Sequence, residues 1–364
     1  MNNNQQAFLE LVRAGLWEKE ARLLPFGDVD YDEIMRLAET QSVDGLVTAG
    51  IEHIQAIKAP QDVVLQFIGQ SLQIEQQNKA MNEFVASLIK KLRKEDVYTI
   101  LVKGQGIAQC YERPLWRSSG DVDLLLSEDS YQRAKKILIP LADDVEQEYN
   151  SFKHIGMTLN GEYVVELHGT MHSRLSKRID RGIDEAQNDV FFGGNVRSWM
   201  NGSTSVFLPG VDDDVIFVFT HILHHFFIEG IGLRQICDWC RLLWTYRDSL
   251  NRDLLEKRIQ KMGLMSEWKA FAAFAVEYLG MPISAMPMLD ENENQKLRKK
   301  AKQILQFVLE SGNFGHNREK THGKMQSAFG KMKDFARHSR IFPLDSIRFF
   351  FHFLWDGITL AATK

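Results

Sequence analysis

The sequence predicts an α+β protein in which a small mixed sheet, confined to the middle of the chain, is flanked by helical regions on both sides. Three observations carry this expectation. Apolar residues recur at helical spacing almost throughout residues 1–94. Short β-rich runs punctuated by glycine and proline fall between Val97 and Leu167. Helical texture returns from about Asp212. The expected division is 1–94 helical, 95–211 sheet-containing core and 212–364 helical, which a chain of 364 residues is long enough to support.

Each element has a local reason. Phe8, Leu9, Val12 and Leu16 space like one helix face, as do Ile34, Leu37 and Ala38. Val64 to Leu92 reads as one or two helices that end in the basic turn Lys90, Lys91, Arg93, Lys94. Pro25 and Pro60 fall between these patterns, where proline is tolerated. Val97–Val102 has the length and residue types of a buried strand, and Lys103-Gly104-Gln105-Gly106 then opens a short helix. Asp121–Leu126 is a second strand, and Asp129–Leu138 has helical spacing. Further β-like runs lie near Val145–Tyr149, His154–Leu159 and Tyr163–Leu167, with Gly161 suited to a hairpin turn.

Composition narrows the class. Hydrophobic content of 44% and charged content of 25% are globular averages, which excludes disordered, collagen-like and coiled-coil chains. A net charge of −4 implies no chain-wide electrostatic partner. Cys110, Cys237 and Cys240 are too few for a disulfide scaffold and suit a reducing cytosol. The first residues lack the features of a signal peptide, and no apolar run is long enough to span a membrane, so a cytoplasmic protein with no membrane partner is expected.

The run Ser118-Ser119-Gly120-Asp121-Val122-Asp123-Leu124 carries the clearest chemistry. Side chains alternate along a strand, so Asp121 and Asp123 share a face and Val122 takes the other. Two carboxylates roughly 5–7 Å apart repel by about 2–3 kcal/mol at an effective dielectric near 20. Beside an apolar run that pair is unfavourable unless a cation neutralises it, and hard oxygen donors select Mg²⁺ or Mn²⁺. In Tyr163–His168 the same alternation puts Glu166 and His168 on one face. If this strand lies beside the aspartates, three acids converge, which is what a two-metal phosphoryl-transfer site requires. Lys103, Gly104 and Gln105 stand at a strand-to-helix junction, where backbone N–H groups can approach a phosphate. Arg117 is a second candidate phosphate contact.

Leu101-Val102-Lys103-Gly104, Tyr111, Pro114, Arg117, Gly120–Leu125 and Val165-Glu166-Leu167-His168 together resemble the uncharacterised nucleotidyltransferase family of the polymerase-beta-like superfamily. His221, His225, Leu233–Ile236 and Asp238 are similar to the helical segment that follows the catalytic part in that family, so the resemblance spans roughly residues 35 to 245. It implies a small mixed-sheet nucleotidyltransferase core with Asp121 and Asp123 as metal ligands. Glu166 becomes the third carboxylate, a ligand and candidate base, and Gly104 with the following helix faces the triphosphate. The superfamily usually has Gly-Gly or Gly-Ser at the loop; here Gln105 follows Gly104, and Asp121 comes 17 residues after Gly104.

The expected activity is metal-dependent transfer of a nucleotidyl group from an NTP to a small-molecule or macromolecular hydroxyl, with pyrophosphate released. Nothing in the sequence singles out nucleic acid as the acceptor. The alternatives are a nucleotide-binding regulatory protein without turnover, and a His/Asp phosphohydrolase built on His221, His225 and Asp238. Four further features read as structural. His221, His224 and His225 suit packing against the core or contact with phosphate. Cys237 and Cys240 suit buried small hydrophobes. Between Lys296 and Arg340 twelve Lys/Arg face three Asp/Glu, the pattern of a solvated helix face, although it could bind a phosphate-rich substrate. Ile347–Leu360 reads as a docked amphipathic helix.

Overall fold

A computed structural model describes residues 1–55, 58–148, 153–290, 295–313 and 334–349. Four helices come first: α1 (Asn3–Trp17), α2 (Tyr31–Gln41), α3 (Asp44–Glu52) and α4 (Gln61–Lys94). Their starts are set locally, with Asn2 accepting from the Gln5 N–H and Asp30 from those of Asp32 and Glu33. Helix α4 is continuous over 34 residues, about 50 Å.

The central region contributes β1 (Ile100–Val102), α5 (Gly104–Ala108), β2 (Asp121–Leu125), α6 (Glu128–Leu138), β3 (Ala142–Val145), β4 (His154–Leu159), β5 (Tyr163–His168), α7 (Lys177–Phe191), β6 (Val196–Asn201) and β7 (Thr204–Pro209). Helix α8 (Val211–His224) continues into a π-helical turn, His225–Glu229. Helices α9 (Leu233–Thr245), α10 (Arg252–Met262), α11 (Met265–Leu279) and α12 (Gln295–Ser311) follow, and residues 334–341 and 343–349 are helical. Among the described residues no helix is long and apolar enough to cross a membrane.

The seven strands form one mixed sheet in the order β3-β4-β5-β2-β1-β7-β6. Strand β2 runs parallel to β5 and antiparallel to β1, while β1 runs parallel to β7. The expected α+β architecture is therefore what the chain adopts, with differences in detail. The strand expected near Val145–Tyr149 lies earlier, at Ala142–Val145, and pairs with β4 through an irregular register. The β6–β7 hairpin has no counterpart in the sequence expectation. Its signal is Asn201-Gly202 between two alternating runs, and Gly202 takes a positive φ of 57° at the turn.

The sheet separates two hydrophobic cores. Leu101, Val122, Leu124, Val165 and Leu167 point to one face and pack with Met81, Val85, Leu88 and Leu92 of α4 and with α6. Ile100, Val102 and Leu125 point to the other, where α1–α3, α5 and α7–α12 share the larger core. Alternation therefore turns Asp121, Asp123, Glu166 and His168 toward this helical side. Cys110, Cys237 and Cys240 are free thiols buried as small hydrophobes. Of the basic stretch, residues 314–333 lie outside the described residues, as does Ile347–Leu360 beyond residue 349.

Candidate active site

Parallel pairing of β2 and β5 sets Asp123 opposite Glu166 and Asp121 opposite Val164. Oxygens of Asp121, Asp123 and Glu166 consequently all lie within 4.8 Å of one another. Asp123 is 2% exposed, and its Oδ1 accepts from Lys103 Nζ at 2.7 Å and from His168 Nε2 at 2.8 Å. Strand β4 brings His154 opposite His168, and His154 Nε2 lies 3.2 Å from Glu166 Oε2. His154 is the residue of this group that the sequence analysis did not single out. Its signal was the alternation of β4 read together with a partner strand, which spacing within one run does not supply.

The electrostatics follow from this crowding. The charge of Asp123, and then burial, push the Asp121 carboxyl above its ordinary range. Burial alone would do the same to Glu166, but hydrogen bonds from His154 and His168 hold its carboxyl well below that range. Burial opposes the charge on Lys103, and the three carboxylates outweigh it and raise its pKa. His168 is raised likewise: burial opposes protonation and its bonds to Asp123 and Glu166 prevail.

Lys103 reaches Asp123 through an unusual backbone. Its φ of 57° and ψ of −145° fall in a region almost reserved for glycine, which costs on the order of 1–3 kcal/mol. Gly104 follows at φ 41° and lines the same cavity as the acids. Gln105 is placed differently from Lys103 and Gly104. It is buried, and its amide donates to Asn78 Oδ1 at 3.0 Å and to Ser119 Oγ at 3.2 Å, because α5 turns its side chain toward α4. Helix α5 itself is a single short turn.

Arg117 borders the cavity but is engaged by a protein acid. Its Nε and Nη2 donate to the two carboxylate oxygens of Asp238 at 2.8 and 2.7 Å, and Nη1 donates to the Ser118 carbonyl at 3.2 Å. Tyr111 Oη donates to the same Asp238 Oδ1 at 2.7 Å. Both charges are more than nine-tenths buried. Arg234 Nη1 also donates to the Ser118 carbonyl, at 2.9 Å, so the segment before the aspartates is tied to α9.

Opposite the carboxylates, His221, His224 and His225 line the cavity, which has a volume of about 390 Å³. His221 Nε2 and His225 Nε2 are 2.9 Å apart, and Glu229 Oε2 lies 2.9 Å from His225 Nδ1. His224 Nδ1 meets the Ser173 carbonyl at 2.7 Å. Burial, followed by the charge of Lys103, lowers the pKa of His221 far below the usual imidazole value. Asp238 is held by Arg117 and Tyr111 and does not join these histidines, which leaves the phosphohydrolase reading without its acid.

The donor set fits a hard divalent cation. Three carboxylates converge at the wall of a polar cavity, and oxygen-only ligands of this kind suit Mg²⁺ or Mn²⁺. A family model described as uncharacterised nucleotidyltransferase matches residues 27–280, and the chain belongs to that family. No curated protein and no solved structure matches the chain.

Proposed function

We propose that this member of the uncharacterised nucleotidyltransferase family moves a nucleotidyl group from an NTP to a hydroxyl acceptor and releases pyrophosphate. The observation that carries the reading is the convergence of Asp121, Asp123 and Glu166 within 4.8 Å, at a cavity that Lys103 and Arg117 also line. These acids would hold Mg²⁺ or Mn²⁺, which when bound neutralises phosphate charge and polarises the reacting phosphoryl group. The acceptor is a small molecule or a macromolecular hydroxyl. An NTP donor agrees with the cytoplasmic location expected from the sequence.

In the transfer, the acceptor oxygen bonds to the α-phosphorus as the bond to the bridging oxygen breaks, and pyrophosphate leaves with that electron pair. Positioning and charge supply most of the catalysis in such chemistry. Lys103 brings a fixed positive charge to the phosphates, and Gly104 lets backbone approach them. Arg117 presents the cavity with a guanidinium already oriented by Asp238, and Gln105 steadies the approach to Asp121 through Ser119. Glu166 would serve as a ligand, and its carboxylate is the group to which the acceptor's proton passes.

The test is pyrophosphate release from ATP, GTP, CTP and UTP with Mg²⁺ or Mn²⁺, using a small-molecule cell extract as the acceptor. Wild type should release pyrophosphate, and Asp123→Asn should lower the rate at least about a hundredfold with the fold intact. One observation favours a nucleotide-binding protein without turnover: Asp123 Oδ1 already holds both Lys103 and His168. An NTP-dependent rise in melting temperature with no release, beside a working control enzyme, would select that reading.

A further inference from the structure

We propose that His154, Glu166 and His168 form a second cation subsite, beside the all-carboxylate one and sharing Glu166 with it, that takes a borderline transition ion of the Zn²⁺ type rather than Mg²⁺. The subsite borders the transfer site, but its existence does not depend on turnover.

The strands build it directly. Antiparallel pairing sets His154 of β4 opposite His168 of β5, and Glu166 lies two residues before His168, so all three project from one face. His154 Nε2 and His168 Nε2 lie 3.2 and 3.3 Å from the same oxygen, Glu166 Oε2, and the three donor atoms lie within 4.8 Å of one another. Ligands about 2.0–2.1 Å from a tetrahedral Zn²⁺ are separated by roughly 3.3 Å along each edge. Both nitrogen–oxygen separations therefore already match that edge. The two rings are tilted by 42° with centroids 4.8 Å apart.

The donor types make the distinction from the neighbouring subsite. Asp121 and Asp123 offer only hard oxygens, whereas two imidazoles suit Zn²⁺ and related ions. Two histidines and one carboxylate with an open position facing a cavity is also the ligand count of a catalytic zinc site; structural sites close with four protein ligands. His154, Glu166 and His168 all line the cavity, so water or a phosphate oxygen can take the open position.

The experiment uses the full-length protein stripped of metal and dialysed against Zn²⁺ or Mg²⁺, with bound metal counted by mass spectrometry. Wild type should retain one Zn²⁺ that Mg²⁺ does not displace. His154→Ala and His168→Ala should each weaken Zn²⁺ binding beyond the roughly 10–100-fold that loss of an outer-sphere partner causes. Asp121→Asn should still bind Zn²⁺ although it loses pyrophosphate release, which separates this inference from the transfer reading. X-ray absorption of the Zn²⁺-loaded wild type needs no variant and should show two imidazole ligands. Equal Zn²⁺ retention by wild type and the His154→Ala/His168→Ala double variant, or a spectrum without imidazole scattering, overturns the proposal.

Discussion

Asp238→Ala is the perturbation whose size the structure fixes best. The substitution leaves the Arg117 guanidinium buried and charged with no carboxylate, and it also removes the acceptor of the Tyr111 hydroxyl. Removing one partner of a buried ion pair destabilises by about 3–5 kcal/mol, because the surviving charge is stranded away from water. An unfolding entropy of about 2.1 cal/mol/K per residue gives about 0.76 kcal/mol/K for 364 residues. The melting temperature should therefore fall by about 4–7 °C, measured by calorimetry or by tryptophan fluorescence in the absence of nucleotide. Replacing both partners, as Arg117→Met with Asp238→Leu, removes the stranded charge and should recover most of that loss. A drop of less than about 2 °C for Asp238→Ala would mean that water reaches the pair, and the argument from burial would fail.

Three other outcomes follow from the same geometry. Lys103→Gly and Lys103→Ala both lose the charge that pairs with Asp123, but the glycine variant should be more stable by about 1–3 kcal/mol in chemical denaturation, since only it relieves the backbone at this residue. Glu166→Gln should lower pyrophosphate release by about a hundredfold or more, because it removes both a metal ligand and the acceptor of the proton. Burial pushes the Asp44 carboxyl up to about 6. A carboxyl raised in the folded state adds stability below its unfolded value near 3.9, and that stability is lost as pH rises through about 6. Asp44→Asn should therefore remove on the order of 3 kcal/mol of pH dependence between about pH 4 and pH 7, read from denaturation midpoints.

What the sequence made legible was what depends on neighbours along one strand. Alternation alone puts Asp121 with Asp123 and Glu166 with His168, and the apolar partners Val122, Leu124, Val165 and Leu167 fall in one core as that alternation requires. The hairpin at Gly161 was legible for the same local reason, since Asn160 and Gly161 both take positive φ there. Partner choice was not. Nothing in residues 100–102 announces that β1 lies between β2 and β7, or that Lys103 leaves it with a backbone that aims the ammonium at Asp123. The carboxylate that holds Arg117 was not legible, because Asp238 lies 121 residues further along the chain. Nor were the partners of the Gln105 amide, because Asn78 and Ser119 sit on separate segments. Non-local ion pairs of this kind leave no periodic trace in either partner's sequence.

The sharing of one core by the first and last helices has a consequence for how the chain folds as it is made. Trp17 Nε1 donates to the Leu279 carbonyl at 2.6 Å, and Gln41 Nε2 donates to the Val308 carbonyl at 3.0 Å. Strand β1 likewise waits for β7, more than a hundred residues downstream. Helices α1 and α3 pack on each other, but the apolar sides that face α11 and α12 leave the ribosome uncovered, and that cover arrives only after another two hundred residues or more have been synthesised. At about 5–20 residues per second that interval lasts on the order of ten seconds to a minute. Closing such distant contacts is slow by topology. Until those contacts close, the nascent N-terminal helices offer an apolar surface that a chaperone can hold.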